Sequence, residues 1–481
     1  MRPYLRLAFC LVLFYSRANA QAPDKAAKID QLARQYADCC EFTGTVLVSE
    51  HDKVIFKSGY GFADREWSIP NAPDVKFRLG SITKQFTSML ILQQVAKGTI
   101  KLDGHISEYL PYYRKDTGSR VTIAQLLSHT SGIPSYTDDP KFFPDVSRNY
   151  YAADDFVTKF CSGDLQFEPG SKFHYDNSGY FLLGAILEHV TGKKYEALLQ
   201  ENILAPVGMR DTGYDHWSTI IAKRASGYEE AFDGVQNAPY LDMALPYAAG
   251  SLYSTVEDLY KWDQALYTDK LISADLKQKL FTPNLENYGF GWVIRTIAKD
   301  EPGAGKTMIA HGGGINGFNT SEVRLVDDHD LIVIFNNTPG ANLNEFSKGI
   351  RAILYGQQPA APKRPLVRDL RGIARNQGVD AAIAKYKELK AANSPKYDFN
   401  ENALGRLGYD LLEKDRTQDA IAVFRLNAEE YPKSARVFDT LGEAYTKAGD
   451  KQLAIEAYKH SLEISPENQN AIDRLKELLK P

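Results

Sequence analysis

Two pairs of strand-like runs sit far apart in this chain, and a fold has to bring them to one place. "TGTVLVSE" (43–50) and "KVIFKSGYG" (53–61) are rich in β-formers and flank His51-Asp52, which predicts a hairpin. "NTSEVRLV" (319–326) alternates apolar and polar residues, and "DLIVIFN" (330–336) follows after the polar Asp327-Asp328-His329. The long segment between the two pairs reads as mostly helix and loop. Strands at both ends with helices between predict an α+β domain whose terminal strands share an antiparallel sheet. Ahead of the first strand, residues 21–42 read as a short helix with Ile29, Leu32, Ala33 and Tyr36 on one face.

The 481 residues exceed one ordinary domain. At 43% hydrophobic and 25% charged, the chain is globular rather than disordered. The net charge is −4 without a basic cluster, which excludes nucleic acid as a partner on electrostatic grounds. Residues 1–20 read as a secretory signal peptide: a basic start, the apolar run "LAFCLVLFY", and "ANA" before Gln21. The run is too short to span a bilayer, so no stable membrane span is expected after its removal. The leader carries Arg2, Arg6 and Arg17 and no acid, so cleavage takes the charge from −4 to −7. A periplasmic or secreted location follows. The mature chain keeps Cys39, Cys40 and Cys161, which allows a disulfide from Cys161 to one of the neighbours.

Residues 357–366 are Pro-rich and polar, as a linker is. Beyond them the sequence repeats. Gly408 and Gly442, Ala420 and Ala454, Phe424 and Tyr458, and Pro432 and Pro466 are each 34 residues apart. That period, with small residues where helices touch and an aromatic to fill the groove, resembles the tetratricopeptide repeat. "GVDAAIAKYKEL" resembles the second helix of a degenerate earlier unit, and "NQNAIDRLKELLK" a capping helix. Residues 367–481 are thus expected to form an all-α solenoid. Its role is either a docking surface for a protein partner or a stabilising spacer.

Three short motifs carry candidate chemistry. In "FRLGSITKQF", Ser81 opens a helix and Lys84 lies three residues on, on the same face. A lysine at the positive end of a helix dipole is badly placed for stability, whereas a depressed pKa suits it to proton transfer. It can activate Ser81, whose own amide can help hold an oxyanion. In "FHYDNSGYF", Tyr175 stands at a helix start with Asn177 two residues on; a tyrosine near a lysine ionises more easily, and the asparagine can bond both an ammonium and a substrate amide. "AHGGGINGF" (310–318) is open to three readings. A dinucleotide fingerprint needs a helix next, and a strand-like run follows. A lipase oxyanion loop needs G-x-S-x-G, which the chain lacks. There remains a strand carrying His311 along a cleft wall, with glycines that let a substrate backbone lie close.

S-x-x-K, Y-x-N and H-x-G each occur once, in that order. With "LLSHTSGIPSY" (126–136), "AAGSLYSTVEDLYKW" (248–262) and "YGFGW" (288–292), they resemble the serine β-lactamase/penicillin-binding superfamily. The branch is that of class C β-lactamases, D-Ala-D-Ala carboxypeptidases and related esterases. The resemblance implies a β-lactamase/transpeptidase-like domain over residues 21–356, an antiparallel sheet flanked by helices plus a helical subdomain. It implies Ser81 as the acylated nucleophile, Lys84 and Tyr175 as a coupled proton relay, and Asn177 on the substrate amide. His311 and Gly313 would line the far wall, and the amides of Ser81 and Gly314 would form the oxyanion hole. No cofactor or metal is implied. Where β-lactamases of this branch usually carry K-T-G, this chain has His311-Gly312-Gly313. A mostly neutral histidine anchors a carboxylate less firmly than a lysine. The expected activity is therefore hydrolysis of an amide or ester in a small molecule or peptide, with a class C-like β-lactamase and an inactive receptor as the alternatives.

Overall fold

Alternation along the strands decides how this protein is layered. A computed structural model describes residues 25–480; the leader reading of residues 1–20 lies outside the described residues. A helix α1 (Lys25–Cys40) precedes strands β1 (Gly44–Glu50) and β2 (Lys53–Tyr60). Four more strands come late in the chain: β3 (Val293–Thr296), β4 (Thr307–Ile315), β5 (Phe318–Leu325) and β6 (Asp330–Asn336). Together they form one antiparallel sheet in the order β3-β4-β5-β6-β1-β2. The two distant hairpins meet at β1 and β6, with Gly44 opposite Asn336 and Ser49 opposite Leu331. His51 and Asp52 close the first hairpin with φ of 50° and 61°, the twist that a two-residue turn requires.

Side chains alternate across this sheet. Leu47, Leu331, Val333 and Phe335 face the helical half of the molecule. There they meet the central helix α2 (Thr83–Ala96) and the helix α3 (Asn177–Thr191) in one large core. Val46, Val48, Ile332 and Ile334 face the other way, onto α1 and the helix α4 (Leu343–Leu354). The predicted stripe Ile29, Leu32, Ala33 and Tyr36 is buried there, and Tyr36 stacks on Phe346 with ring centroids 4.3 Å apart.

This layering corrects the expected disulfide. Cys161 is buried in the helical core and free, while Cys40 belongs to the outer core behind the sheet. Cys39 and Cys40 are instead bonded to each other.

Residues 357–363 carry no helix or strand. Seven helices follow among the described residues: α5 (Leu366–Gln377), α6 (Val379–Ala391), α7 (Glu401–Glu413), α8 (Thr417–Glu430), α9 (Ala435–Ala448), α10 (Lys451–Ile464) and α11 (Gln469–Leu478). The 34-residue spacing has a packing cause. A Cβ on Gly408 would come within 2.4 Å of the Phe424 ring, and one on Gly442 within 2.9 Å of Tyr458. Each glycine lets an aromatic of the next helix lie against its backbone.

These helices are fastened to the sheet domain by a small hairpin, Tyr228–Ala231 and Gly234–Asn237. Phe232 at its tip is buried in the core of the C-terminal helices. Around it, Arg375 donates to the Phe232 carbonyl (2.9 Å), Arg371 pairs with Glu230 (3.4 Å) and Asp410 (2.5 Å), and Lys414 pairs with Asp233. Truncating a buried phenylalanine costs about 3–5 kcal/mol. Phe232→Ala is therefore expected to lower the denaturation midpoint of the C-terminal helices and make residues 357–363 cleavable by added protease. Unchanged melting and cleavage would show that the hairpin is not their anchor.

Candidate active site

The nucleophile candidate sits at a seam between sheet and helices. Gly80, with φ 57°, turns the chain into a single 3-10 turn over Gly80–Ile82 that runs into α2. Residues Thr83 to Gln94 of α2 are buried without a break, so the helix is the axis of the core rather than a surface element. Ser81 stands at its mouth and Lys84 one turn further in.

Lys84 is fully buried. Its Nζ lies 3.1 Å from Ser81 Oγ, 2.8 Å from Asn177 Oδ1 and 3.0 Å from the Ala249 carbonyl. A neutral amine has two N–H groups and one lone pair. Two carbonyl acceptors match the two N–H groups and leave the lone pair for the Ser81 hydroxyl. The protonated form can donate to all three oxygens, so both states are satisfied. Burial lowers the Lys84 pKa to about 7, against the opposing charge of Asp176.

The Y-x-N segment arrives from the other side. Tyr175 places its ring 4.8 Å from Lys84 Nζ. Its hydroxyl is buried beside the Ser81 hydroxyl. Burial raises its pKa, with the hydrogen bond to Ser81 pulling the other way, so the phenol stays protonated. The expected easier ionisation of Tyr175 is thus corrected: desolvation moves its pKa up instead of down. Asn177 uses its Oδ1 for Lys84, and its Nδ2 donates to Thr137 Oγ1 at 3.0 Å. Asp176 caps α3 by accepting from the Gly179 amide, and burial raises its pKa to about 7. Its backbone N–H donates to His129 Nδ1 at 3.1 Å. The His129 ring is fully buried, 4.2 Å from the Tyr175 ring, and burial holds its pKa well below the usual value.

Strand β4 forms the far wall. Gly313 crosses the chain at Leu79 so closely that a Cβ would lie 1.8 Å from the Leu79 carbonyl oxygen. Thr320 on β5 donates to the same carbonyl at 2.8 Å. A Cβ on Gly80 would lie 2.9 Å from the Gly314 amide nitrogen, which sets that amide beside the Ser81 turn. His311 is buried higher on the strand. Its Nδ1 donates to the Gly312 carbonyl (2.6 Å) and its Nε2 accepts from the Tyr288 hydroxyl (2.9 Å). Burial, then the charge of Lys84, pushes its pKa down to about 3, so the ring is neutral.

The cavity at Ser81 is about 90 Å³, and Asn177, Gly314, Ile315, Asn316, Phe142 and Phe143 are among its walls. None of the described residues that line it is charged. Neither His311 nor Gly313 reaches it. Gly313 shapes the wall from behind, and the histidine has both nitrogens engaged elsewhere. The stretches "SHTSGIPSY" and "AAGSLY" hold partners of the site that the three short motifs do not include. Ser135 receives the Asn177 amide (3.1 Å), Thr137 its side chain, and Ala249 the Lys84 amine. The hydroxyl-rich S-x-T after a Gly-x-Pro turn was the available signal.

The family model described as Beta-lactamase matches residues 29–357. The chain belongs to the β-lactamase family. A penicillin-binding protein of Bacillus subtilis is 29% identical over 377 residues, covering 71% of this chain and 78% of its own. The structure of a penicillin-binding protein from Bacillus halodurans is 28% identical with a TM-score of 0.59, covering 68% of this chain and 98% of its own. A D-stereospecific amidohydrolase from a Streptomyces species is similar at 25% identity and a TM-score of 0.58, over 68% and 98%. This β-lactamase-family chain thus sits in the serine β-lactamase/penicillin-binding superfamily, among serine-hydrolase-type relatives.

Two neighbouring glycines of this β-lactamase-family wall should respond differently. Gly314 has no atom within 4 Å of a built Cβ, whereas Gly313 meets backbone. Gly314→Ala is expected to melt with the wild type. Gly313→Ala is expected to lose about 1–3 kcal/mol by overpacking, read by chemical denaturation. Equal stability of the two variants would contradict the close crossing at Leu79.

Proposed function

We propose that this protein is an exported serine hydrolase that cleaves a neutral amide or ester through an acyl-enzyme on Ser81. The observation that carries the reading is the Lys84 amine, held between two carbonyl acceptors with Ser81 Oγ at its third position. Lys84 takes the Ser81 proton as Oγ attacks the substrate carbonyl. The resulting oxyanion is held by the amides of Ser81 and Gly314. Tyr175, protonated and beside the Ser81 hydroxyl, gives its proton to the leaving nitrogen or oxygen as the carbonyl re-forms, and Lys84 restores it. Water then attacks the acyl-enzyme along the same relay and releases the acid. Asn177 keeps Lys84 in place and offers its edge to the substrate amide.

The uncharged cavity supports a neutral, apolar acyl group. A true β-lactamase is the less favoured reading. Its substrate carboxylate would need a cation, and His311 is neutral and already bonded. Residues 21–356 are the hydrolase unit in this proposal, 357–366 the linker, and 367–481 a tetratricopeptide-like unit supported by the glycine–aromatic packing at a 34-residue offset. Docking of that unit through Phe232 favours a fixed appendage over a free arm.

A fluorophosphonate or labelled penicillin should add one mass to the wild type and none to Ser81→Ala. Absence of an adduct on the wild type, or an equal adduct on the variant, would sink the acyl-enzyme reading. Because Lys84 must be unprotonated to act as base, kcat/KM should fall as pH drops below about 7, by about tenfold per unit for one ionisation. A flat profile from pH 5 to 8 would remove Lys84 from that task. Among cephalosporins, D-Ala-D-Ala peptides, D-amino acid amides and short esters, those without a free carboxylate should be turned over at least about tenfold faster, the value of one buried charge contact. Dominant cephalosporin turnover would reverse the ranking.

A further inference from the structure

A second cavity, about 230 Å³, lies behind the segment 242–250. Pro246, Ala249 and Gly250 of that segment line the Ser81 cavity, while Asp242, Ala244 and Tyr247 line this one. Its walls are aromatic. Tyr247 packs against Tyr195 (5.3 Å) and Tyr214 (6.4 Å), and Tyr150 and Trp217 stand exposed at its mouth. Tyr247 is 7% exposed and holds φ 42°, a conformation few non-glycine residues take. Its hydroxyl is buried beside the Glu188 carboxylate; burial, then that negative charge and a hydrogen bond to it, keep the phenol protonated.

The charges in this wall are unbalanced. Three carboxylates line it, those of Glu188, Glu196 and Asp242. Glu188 pairs with Lys194 at 2.9 Å and Glu196 pairs with His216. Asp242 is 4% exposed and accepts from the Ala244 amide at 2.9 Å. Among the described residues no basic side chain forms an ion pair with it. A buried carboxylate without an ion-pair partner, a buried hydroxyl whose oxygen can accept, and a ring of aromatic faces are the parts of an organic-cation site. The volume exceeds the roughly 150 Å³ of a cavity known to admit benzene.

We propose that this cavity binds a small organic ammonium ion, its N–H groups on Asp242 and the Tyr247 hydroxyl and its carbon body on the tyrosine rings. Occupancy reaches Ser81 through the shared segment, because the Ala249 carbonyl holds the Lys84 amine and the Ala248 carbonyl accepts from Thr87 at 2.6 Å. The site is an effector site, separate from the catalytic cavity.

Calorimetric titration of the full chain carrying Ser81→Ala with phenethylammonium chloride tests the binding without relying on hydrolysis. Saturable one-to-one binding is expected, at least about tenfold tighter than for uncharged 2-phenylethanol. Asp242→Asn, which keeps the acceptor for Ala244, should weaken it by at least about tenfold. Tyr247→Phe, which removes the hydroxyl and keeps the ring, should weaken it too. Non-saturable binding, equal affinity for the alcohol, or full affinity in whichever of the two variants folds overturns the site. On the wild type, saturating phenethylammonium should change the rate of Ser81 labelling at least about threefold, and not in Asp242→Asn. Binding with an unchanged labelling rate overturns the effector role.

Discussion

The crossing of Gly313 over the Leu79 carbonyl is the contact on which the candidate site depends. There, backbone of the sheet touches backbone of the turn before α2, with room for a hydrogen atom and no side chain. Thr320 clamps the same carbonyl from the next strand. The sheet can deliver β4 to that point because β1 and β6 pair across nearly the whole domain and hold both distant hairpins in one register. The approach puts the Gly314 amide beside Ser81. The candidate site then falls at the border of two layers, where neither alone could enclose it.

Burial does the electrostatic tuning on the other side of the seam. Lys84 lies in the first turn of a helix that is buried all round, so its charge is penalised and its pKa comes down to about 7. The same burial drives Tyr175 the opposite way, because its charged form is the anion. One cause thus gives one group that is ready to accept a proton and one that is ready to donate. His311 and His129 are kept neutral by the same means.

Much of this was legible in the linear chain. Ser81 and Lys84 announce themselves because a lysine at a helix N-terminus lacks a stabilising reason to be there. The α1 stripe and the hairpin at His51-Asp52 follow from periodicity and turn composition, and the glycine–aromatic pairs at 34 residues from repetition. Other features were not legible. His311 looks like a cleft residue in sequence, yet Tyr288 and the Gly312 carbonyl occupy its two nitrogens. The sequence assigns Asp176 no role, and it caps α3 while its backbone holds His129. The partners in each case come from segments that no local pattern connects. Cys161 and Cys40 fail to pair for a similar reason, since the sheet separates their cores.

The chain by itself determined the parts: which residues can attack, which can shuttle a proton, where strands alternate, and where helices repeat. Those properties reside in side-chain chemistry and in short-range periodicity, which survive in a linear string. The tertiary structure alone decided how charged each part is and what it faces. Desolvation and hydrogen-bond partnership are set by neighbours that are distant in sequence. It was the fold that turned Lys84 into a near-neutral amine, took His311 out of the cavity, left the Ser81 cavity uncharged, and gave the segment 242–250 a second, acidic face.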